Sequence, residues 1–320
     1  MKYRTLGRTG LKVSEIAQGT WAFGNNVYGG VDEKDGIAAI HEGIDLGINL
    51  MDTAPQYGTA EQDGVAEIVL GKALKGKRDQ VFISTKFGRN PTIAGGASQF
   101  YKERVIASVE ESLKRLQTDH IDILFFHSPF SADEIRDDVW EGLEQVKKQG
   151  KVRFIGHSIS MFHQTAGMAR EWAKDGRIDL VQVVLSLMNR ESEQLVNDFG
   201  AMNVGVVARE CLANGFLAGV FNKDTVFKPG TLNARYSREE LSERIDQVDA
   251  FRFLVRNDVT QMAQAALRWV LDQKGVSTVL SGAKNSMELR GAASASDAMP
   301  FSETELALAK ELLVKDFEAA

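Results

Sequence analysis

The fold is decided by a stretch at residues 105–127, VIASVEESLKRLQTDHIDILFFH. Apolar residues in its first half recur at intervals of three and four, as on one face of a helix: Val105, Val109, Leu113 and Leu116. The second half, residues 121–127, is apolar on both faces, which is typical of a strand in a parallel sheet covered by helices. The stretch therefore predicts a helix followed by a buried strand.

The same unit repeats along the chain. Short apolar runs predict eight buried strands, at residues 15–20, 48–52, 81–86, 121–127, 154–158, 180–184, 204–208 and 278–282. Amphipathic stretches predict the helices, at residues 33–46, 61–74, 105–116, 134–148, 161–174, 191–200, 259–273 and 286–297. Closing eight such units gives an α/β fold, the (β/α)8 TIM barrel. An open doubly wound sheet is less favoured, because residues 19–24 lack its Gly-x-Gly-x-x-Gly turn.

Three segments lie outside the repeat. Residues 1–13 predict an N-terminal hairpin that could close the bottom of the barrel. Residues 213–258 are far longer than a barrel loop needs, so we expect a functional lid over the C-terminal face or a partly disordered segment. Residues 302–318 predict a C-terminal extra helix that begins with a capping-box pattern. We expect residues 1–320 to form a single barrel domain.

Composition narrows the class of protein. Hydrophobic residues make up 43% of the chain and charged residues 26%, which are ordinary values for a compact globular protein. The net charge of −6 and the absence of a basic patch argue against a nucleic-acid partner. No apolar run is long enough to predict a membrane span or a signal peptide, and the single Cys211 fits a reducing compartment. We expect a cytoplasmic protein without a membrane partner, and the oligomeric state stays open.

Four polar residues follow the ends of predicted strands. Asp52 ends the second strand, Tyr57 lies in the loop after it, Lys86 ends the third strand and His127 ends the fourth. Chemistry in such barrels sits at the C-terminal ends of the strands, so these side chains are expected to meet.

The four residue types together indicate a site that reduces a carbonyl group. An ammonium group stabilises a phenolate, so Lys86 is expected to lower the pKa of Tyr57 and make it a useful proton donor. Asp52 would keep Lys86 charged and oriented. His127 would hold a carbonyl oxygen against the Tyr57 hydroxyl.

The chain resembles the aldo-keto reductase family over nearly its whole length. The resemblance rests on residues 6–14 (LGRTGLKVS), on Gly19-Thr20-Trp21, on residues 112–122 and on the four residues just named, which match the catalytic tetrad of the family. It implies a (β/α)8 oxidoreductase that uses NADPH, with NADH less favoured, to reduce a small carbonyl substrate.

The resemblance also implies cofactor contacts. The expected residues are Gly19, Thr20, Ser158, Gln182, Arg209, Leu212, Asn214, Gly282, Lys284 and Glu288. Lys284 matches the cation that contacts the adenosine 2′-phosphate. The chain departs from the family pattern at four positions, namely Ile159, Arg209, Glu288 and Ala292.

Three aromatic residues, Trp21, Phe87 and Phe130, are expected to build the substrate pocket. No metal site is expected, since His41, His120 and His163 have no partner at metal-ligand spacing.

Two other functions remain open. The first is a redox-sensing regulatory subunit that binds a nicotinamide cofactor with little turnover. The second is a Schiff-base aldolase with Lys86 as the nucleophile.

Overall fold

The computed structural model describes residues 1–25, 29–93 and 97–314. The chain opens with a hairpin of β1 (Tyr3–Thr5) and β2 (Lys12–Ser14), which pair antiparallel with Tyr3 opposite Ser14. A short 3-10 turn at Gly7–Thr9 joins the two strands. The predicted N-terminal hairpin is confirmed.

Eight parallel strands close into a barrel. In chain order they are β3 (Ile16–Gly19), β4 (Leu50–Asp52), β5 (Phe82–Phe87), β6 (Ile121–His127), β7 (Val152–Ser158), β8 (Leu180–Val184), β9 (Gly205–Arg209) and β10 (Thr278–Ser281). Each strand pairs with the next, and β10 pairs with β3 to complete the ring. The (β/α)8 TIM barrel expected from the repeat is confirmed.

Helices surround the barrel. They are α1 (Trp21–Gly24), α2 (Glu33–Asp45), α3 (Val65–Ala73), α4 (Lys102–Leu116), α5 (Val139–Lys148), α6 (Phe162–Lys174), α7 (Glu193–Ala201), α8 (Arg238–Ala250), α9 (Met262–Leu271), α10 (Ser286–Ser294) and α11 (Glu303–Val314). Helix α11 is the expected extra helix, and residues 315–318 of that prediction lie outside the described residues. Within the described part of the chain, none of the helices combines the length and apolar character that a membrane crossing requires.

Two apolar layers follow from the alternation of side chains along each strand. In β6, Ile123 and Phe125 point into the barrel, whereas Leu124 and Phe126 point outward against the helices. The inner layer also contains apolar residues of the hairpin, namely Leu6, Leu11 and Val13. The hairpin therefore helps to fill the interior of the barrel.

The hairpin closes the barrel at the N-terminal ends of the strands. The Arg8 backbone N–H donates to the carbonyl of Asn203, just before β9, at 2.6 Å. A Cβ on Gly7 would lie 2.2 Å from the Gly205 backbone nitrogen, so glycine at position 7 lets the hairpin approach β9 this closely. This end of the barrel is packed, which leaves the opposite end for chemistry.

Residues 213–258, expected as a functional lid or a partly disordered segment, contain one helix and three 3-10 turns. Helix α8 lies within this segment, together with 3-10 turns at Ala213–Ala218, Leu232–Arg235 and Arg252–Leu254. The Ser237 hydroxyl accepts from Glu240 N–H, and the Glu240 carboxylate accepts from Ser237 N–H, which forms a capping box at the start of α8. Helix α8 was not among the helices that the sequence predicted.

Candidate active site

The polar side chains at the C-terminal end of the barrel strands point into the barrel. In β5, Phe82 faces the barrel interior, so the two-residue alternation also brings Ser84 and Lys86 inward. The same rule brings one polar residue inward from each of five other strands: Asp52, His127, Ser158, Gln182 and Arg209. The strands thus carry an apolar interior layer below and a polar layer above.

Asp52, Lys86 and Tyr57 are joined at the centre of this polar layer. Lys86 Nζ donates to Asp52 Oδ2 at 2.7 Å, to the Thr53 carbonyl at 2.8 Å and to the Tyr57 hydroxyl at 3.1 Å. These three partners satisfy the three donors of a buried ammonium. The structure therefore brings together three of the four residues that the sequence singled out, through direct hydrogen bonds.

The second oxygen of Asp52 is also satisfied. Asp52 Oδ1 accepts from Ser84 Oγ at 2.8 Å and from Gln182 Nε2 at 3.0 Å. Gln182 Oε1 in turn accepts from Ser158 Oγ at 3.3 Å. Gln182 and Ser158, expected as cofactor contacts, thus form a chain of hydrogen bonds that leads to the buried ion pair.

The ionisation of this group follows from burial and charge. Burial disfavours the charged form of Lys86, but its interactions with Asp52 and Tyr57 outweigh burial and raise the pKa of the ammonium. Burial also raises the pKa of Tyr57 above its ordinary value, and the opposing influence of Lys86 does not cancel it. The expected net lowering of the Tyr57 pKa is therefore wrong for this arrangement, because loss of hydration outweighs the neighbouring charge.

His127 completes the group beside Tyr57. The two rings meet edge to face, with their centroids 6.0 Å apart. Burial, reinforced by the positive charges of Lys86, Arg209 and Arg89, holds the pKa of His127 well below its usual range. Its Nδ1 has no hydrogen-bond partner among the described residues. A neutral imidazole of this kind retains one N–H to donate.

The loop that carries Tyr57 is folded tightly onto its neighbours. Tyr57 N–H donates to the Ala54 carbonyl at 3.0 Å, and the Tyr57 carbonyl accepts from Ala66 N–H at 3.0 Å, in the first turn of α3. A Cβ on Gly24 would lie only 2.1 Å from the Tyr57 carbonyl oxygen. Glycine at position 24 therefore allows the end of α1 to pack against the Tyr57 backbone.

Arg209 fixes the opposite side of the barrel mouth. Its guanidinium pairs with Glu210 and donates to the Ile159 carbonyl at 3.2 Å and to Ser160 Oγ at 2.7 Å. Ser160 Oγ donates to Ser128 Oγ at 2.7 Å. Arg209, one of the four departures from the family pattern, is thus a cation tied to the loop after β7.

The other expected cofactor residues lie on the loops around this mouth. Thr20 Oγ1 donates to the Asp52 carbonyl at 3.0 Å, and Gly19 precedes it at the end of β3. Leu212 and Asn214 follow β9, and Asn214 has a left-handed backbone with a φ of 57°. Three more residues follow β10 at the start of α10: Gly282, Lys284 and Glu288.

The three residues expected to contact the substrate, Trp21, Phe87 and Phe130, lie in different surroundings. The rings of Trp21 and Tyr57 have centroids 6.1 Å apart. Phe130 is 50% exposed, and its ring stacks on the Arg89 guanidinium at 3.8 Å. Phe87, in contrast, is fully buried against Phe100 and Phe126 beneath the helices. The prediction for Phe87 was wrong, because it follows the inward Lys86 and must point outward.

Several contributors to the site were not anticipated from the sequence. Ser84 bonds Asp52, while Ser128 and Ser160 extend the hydroxyl chain to Arg209. The alternation along β5 could have found Ser84, two residues before Lys86. Among residues 1–25, 29–93 and 97–314, no group of three or more His, Cys, Asp or Glu side chains could hold a metal ion.

Comparison with known proteins identifies the family. The model of the aldo/keto reductase family matches residues 15–314. The chain is 32% identical over 299 residues to the aldo-keto reductase YhdN of Bacillus subtilis (strain 168), which covers 90% of this chain and 87% of the relative. It is also 32% identical over 314 residues to the NADH-specific methylglyoxal reductase of Escherichia coli (strain K12), which covers 91% and 92%.

The fold comparison agrees. The solved structure of the glycerol dehydrogenase AKR11B4 from Gluconobacter oxydans superposes with a TM-score of 0.83 at 27% identity, covering 100% of this chain and 97% of that one. The family resemblance of the sequence is thus confirmed by sequence and by fold. The chain belongs to the aldo/keto reductase family.

Proposed function

We propose that this protein reduces an aldehyde or ketone to an alcohol, with Tyr57 as the general acid. The observation that carries the proposal is the contact of the Tyr57 hydroxyl with Lys86 Nζ at 3.1 Å, beside the neutral ring of His127. A reduced nicotinamide cofactor, when bound, supplies the hydride in this chemistry.

The protein residues then manage the proton. The raised pKa of Tyr57 keeps its phenol protonated at neutral pH, so a proton is available for the carbonyl oxygen. The Lys86 ammonium stabilises the phenolate that forms once the proton leaves, and Asp52 keeps that ammonium in place. The single N–H of His127 would hold the carbonyl oxygen, while Trp21 and Phe130 would border the substrate.

The polar layer suits a nicotinamide carboxamide. The Ser158 hydroxyl and the Gln182 amide lie on neighbouring strands next to Asp52, and Arg209 lies across the mouth. The identity of the dinucleotide is a separate matter, because a relative that shares 32% identity is named as NADH-specific. NADPH therefore stays a prediction of the resemblance.

Replacing the phenol by a phenyl ring tests this proposal. We expect Tyr57→Phe to lower turnover across a panel of aldehydes and ketones by a factor of about 10²–10⁴, the usual contribution of a positioned acid. Dinucleotide affinity, measured by fluorescence titration, should stay within about twofold, since that ring is retained. Tyr3→Phe is the matched control, because Tyr3 bonds the Gly47 carbonyl at the other end of the barrel. Unchanged turnover in Tyr57→Phe would contradict the proposal.

The alternatives give different results. A redox-sensing subunit would bind the dinucleotide with little turnover over the whole panel. An aldolase would need a neutral Lys86, whereas its contacts with Asp52 and Tyr57 raise the pKa of that ammonium. Borohydride trapping of a substrate on Lys86 would support the aldolase and contradict the reductase.

A further inference from the structure

A carboxylate of the protein itself occupies the start of helix α10. Glu288 Oε2 accepts from the Lys284 backbone N–H at 2.9 Å, and Glu288 Oε1 accepts from Asn285 Nδ2 at 3.0 Å. Asn285 Oδ1 in turn accepts from Glu288 N–H at 3.0 Å. Two donors directly before α10, the Lys284 backbone N–H and the Asn285 side-chain amide, are thus used by the Glu288 carboxylate and are not open to a bound anion.

The surroundings of this turn are acidic as well. A cavity of about 1110 Å³ adjoins it and is lined on one side by Lys284, Asn285 and Ser286. Asp32 and Asp35, at the start of α2, line the same cavity. Among the described residues that line this cavity, Lys284 is the only cation, and Asp32 and Asp35 are carboxylates.

This arrangement does not fit a phosphate on the adenosine ribose. Such a phosphate carries a charge of about −1.5 to −2 at neutral pH and would meet the Glu288 carboxylate. A free ribose 2′-hydroxyl, in contrast, fits beside a carboxylate, because the carboxylate can accept its hydrogen bond. Dinucleotide sites that select NAD use a carboxylate in this way. The cation that the sequence assigned to the phosphate, Lys284, has its backbone N–H engaged by the same carboxylate.

We infer that Glu288 makes this chain select NADH over NADPH, by occupying the position at the start of α10 that a 2′-phosphate would need. The inference rests on the proposed function, which requires a nicotinamide dinucleotide. It reverses the NADPH preference that the family resemblance implied.

Fluorescence titration of the purified protein with NADH and with NADPH tests the inference, together with competition by 2′,5′-ADP. We expect the wild type to bind NADH about tenfold tighter, as one close charge repulsion of about 1.4 kcal/mol would give. Glu288→Gln should tighten NADPH and 2′,5′-ADP binding about tenfold and change NADH affinity less than about threefold, because the amide keeps the shape and loses the charge. Added salt should narrow the difference in the wild type.

Glu240→Gln is the matched control. Glu240 accepts from the Ser237 N–H at 2.8 Å in a similar cap on α8, so its replacement should leave the NADH to NADPH affinity ratio unchanged. Tighter binding of NADPH by the wild type, or an unchanged ratio in Glu288→Gln, overturns the inference and leaves the reductase proposal standing. Absence of binding by both dinucleotides overturns the inference and the proposed function together.

Discussion

Asp52 Oδ2 lies 2.7 Å from Lys86 Nζ, and the exposed fractions of the two side chains are only 2% and 1%. Both charges have therefore lost their water. Removing one partner of such a pair leaves the other charge uncompensated, which costs far more than breaking a surface pair. The Asp52–Lys86 pair thus stabilises the folded state, and it lies in the candidate active site.

We expect Asp52→Asn to lower the free energy of unfolding by about 3–5 kcal/mol, because it leaves the Lys86 ammonium buried without its counter-charge. Urea denaturation at neutral pH measures this loss. Glu33→Gln is the control, since Glu33 pairs with Lys72 at 2.7 Å on the surface. Its effect should stay below about 1 kcal/mol. Similar losses in the two variants would show that the buried pair has no special role.

We expect Gln182 to stabilise the Asp52 carboxylate through a hydrogen bond, in addition to any contact with the cofactor. Gln182→Met keeps the length of the side chain but removes the donor that lies 3.0 Å from Asp52 Oδ1. A hydrogen bond to a charged group contributes about 1.5–3 kcal/mol, so a loss of unfolding free energy of that size is expected. In a double-mutant cycle with Asp52→Asn, the two losses should sum to more than the loss in the double variant. Strict additivity would argue against the coupling.

The parts of the fold that were predictable from sequence are those that depend on local pattern. Strands apolar on both faces between amphipathic helices admit few architectures, and the barrel follows from their number and order. Asp52, Lys86 and His127 lie within the last two residues of successive strands, so parallel pairing brings them to one rim. Pattern and topology were sufficient for this much of the candidate site.

The other features of the site depend on tertiary packing, which the local sequence pattern does not specify. The bond between Gln182 and Asp52 joins residues 130 positions apart and depends on how the closed ring sets the two strands across the interior. The raised pKa of Tyr57 depends on how much water the folded loop removes. Helix α8 was not predicted, although Ser237 and Glu240 carry a capping-box signal.

The opposite environments of Phe87 and Phe130 give a third prediction. Phe87 is fully buried, so Phe87→Ala should lower the free energy of unfolding by about 3–5 kcal/mol through the cavity it leaves. Phe130 is 50% exposed, so Phe130→Ala should cost less than about 1.5 kcal/mol and should instead raise the KM of bulky carbonyl substrates. Denaturation and steady-state kinetics on both variants separate the two roles. A selective rise in KM for Phe87→Ala without loss of stability would restore the substrate role expected from the sequence.

We expect His157 to make the stability of the protein sensitive to acid. Its ring is fully buried against Phe126 and Trp172, and neither ring nitrogen has a hydrogen-bond partner among the described residues. Burial lowers the pKa of His157 from 6.5 to about 3. Between those two pH values the unfolded chain binds a proton that the folded chain does not, so the free energy of unfolding falls as the pH falls.

We expect the wild type to lose up to about 2 kcal/mol from this residue between pH 6.5 and pH 5, since each unit contributes at most about 1.4 kcal/mol. His127, whose pKa burial also lowers, acts in the same direction. His157→Phe keeps an aromatic ring in the same layer without a titrating group. Urea denaturation at the two pH values should therefore show a smaller loss of unfolding free energy than in the wild type. If His157→Phe lost stability with acid as steeply as the wild type, the acid sensitivity would have to come from other groups.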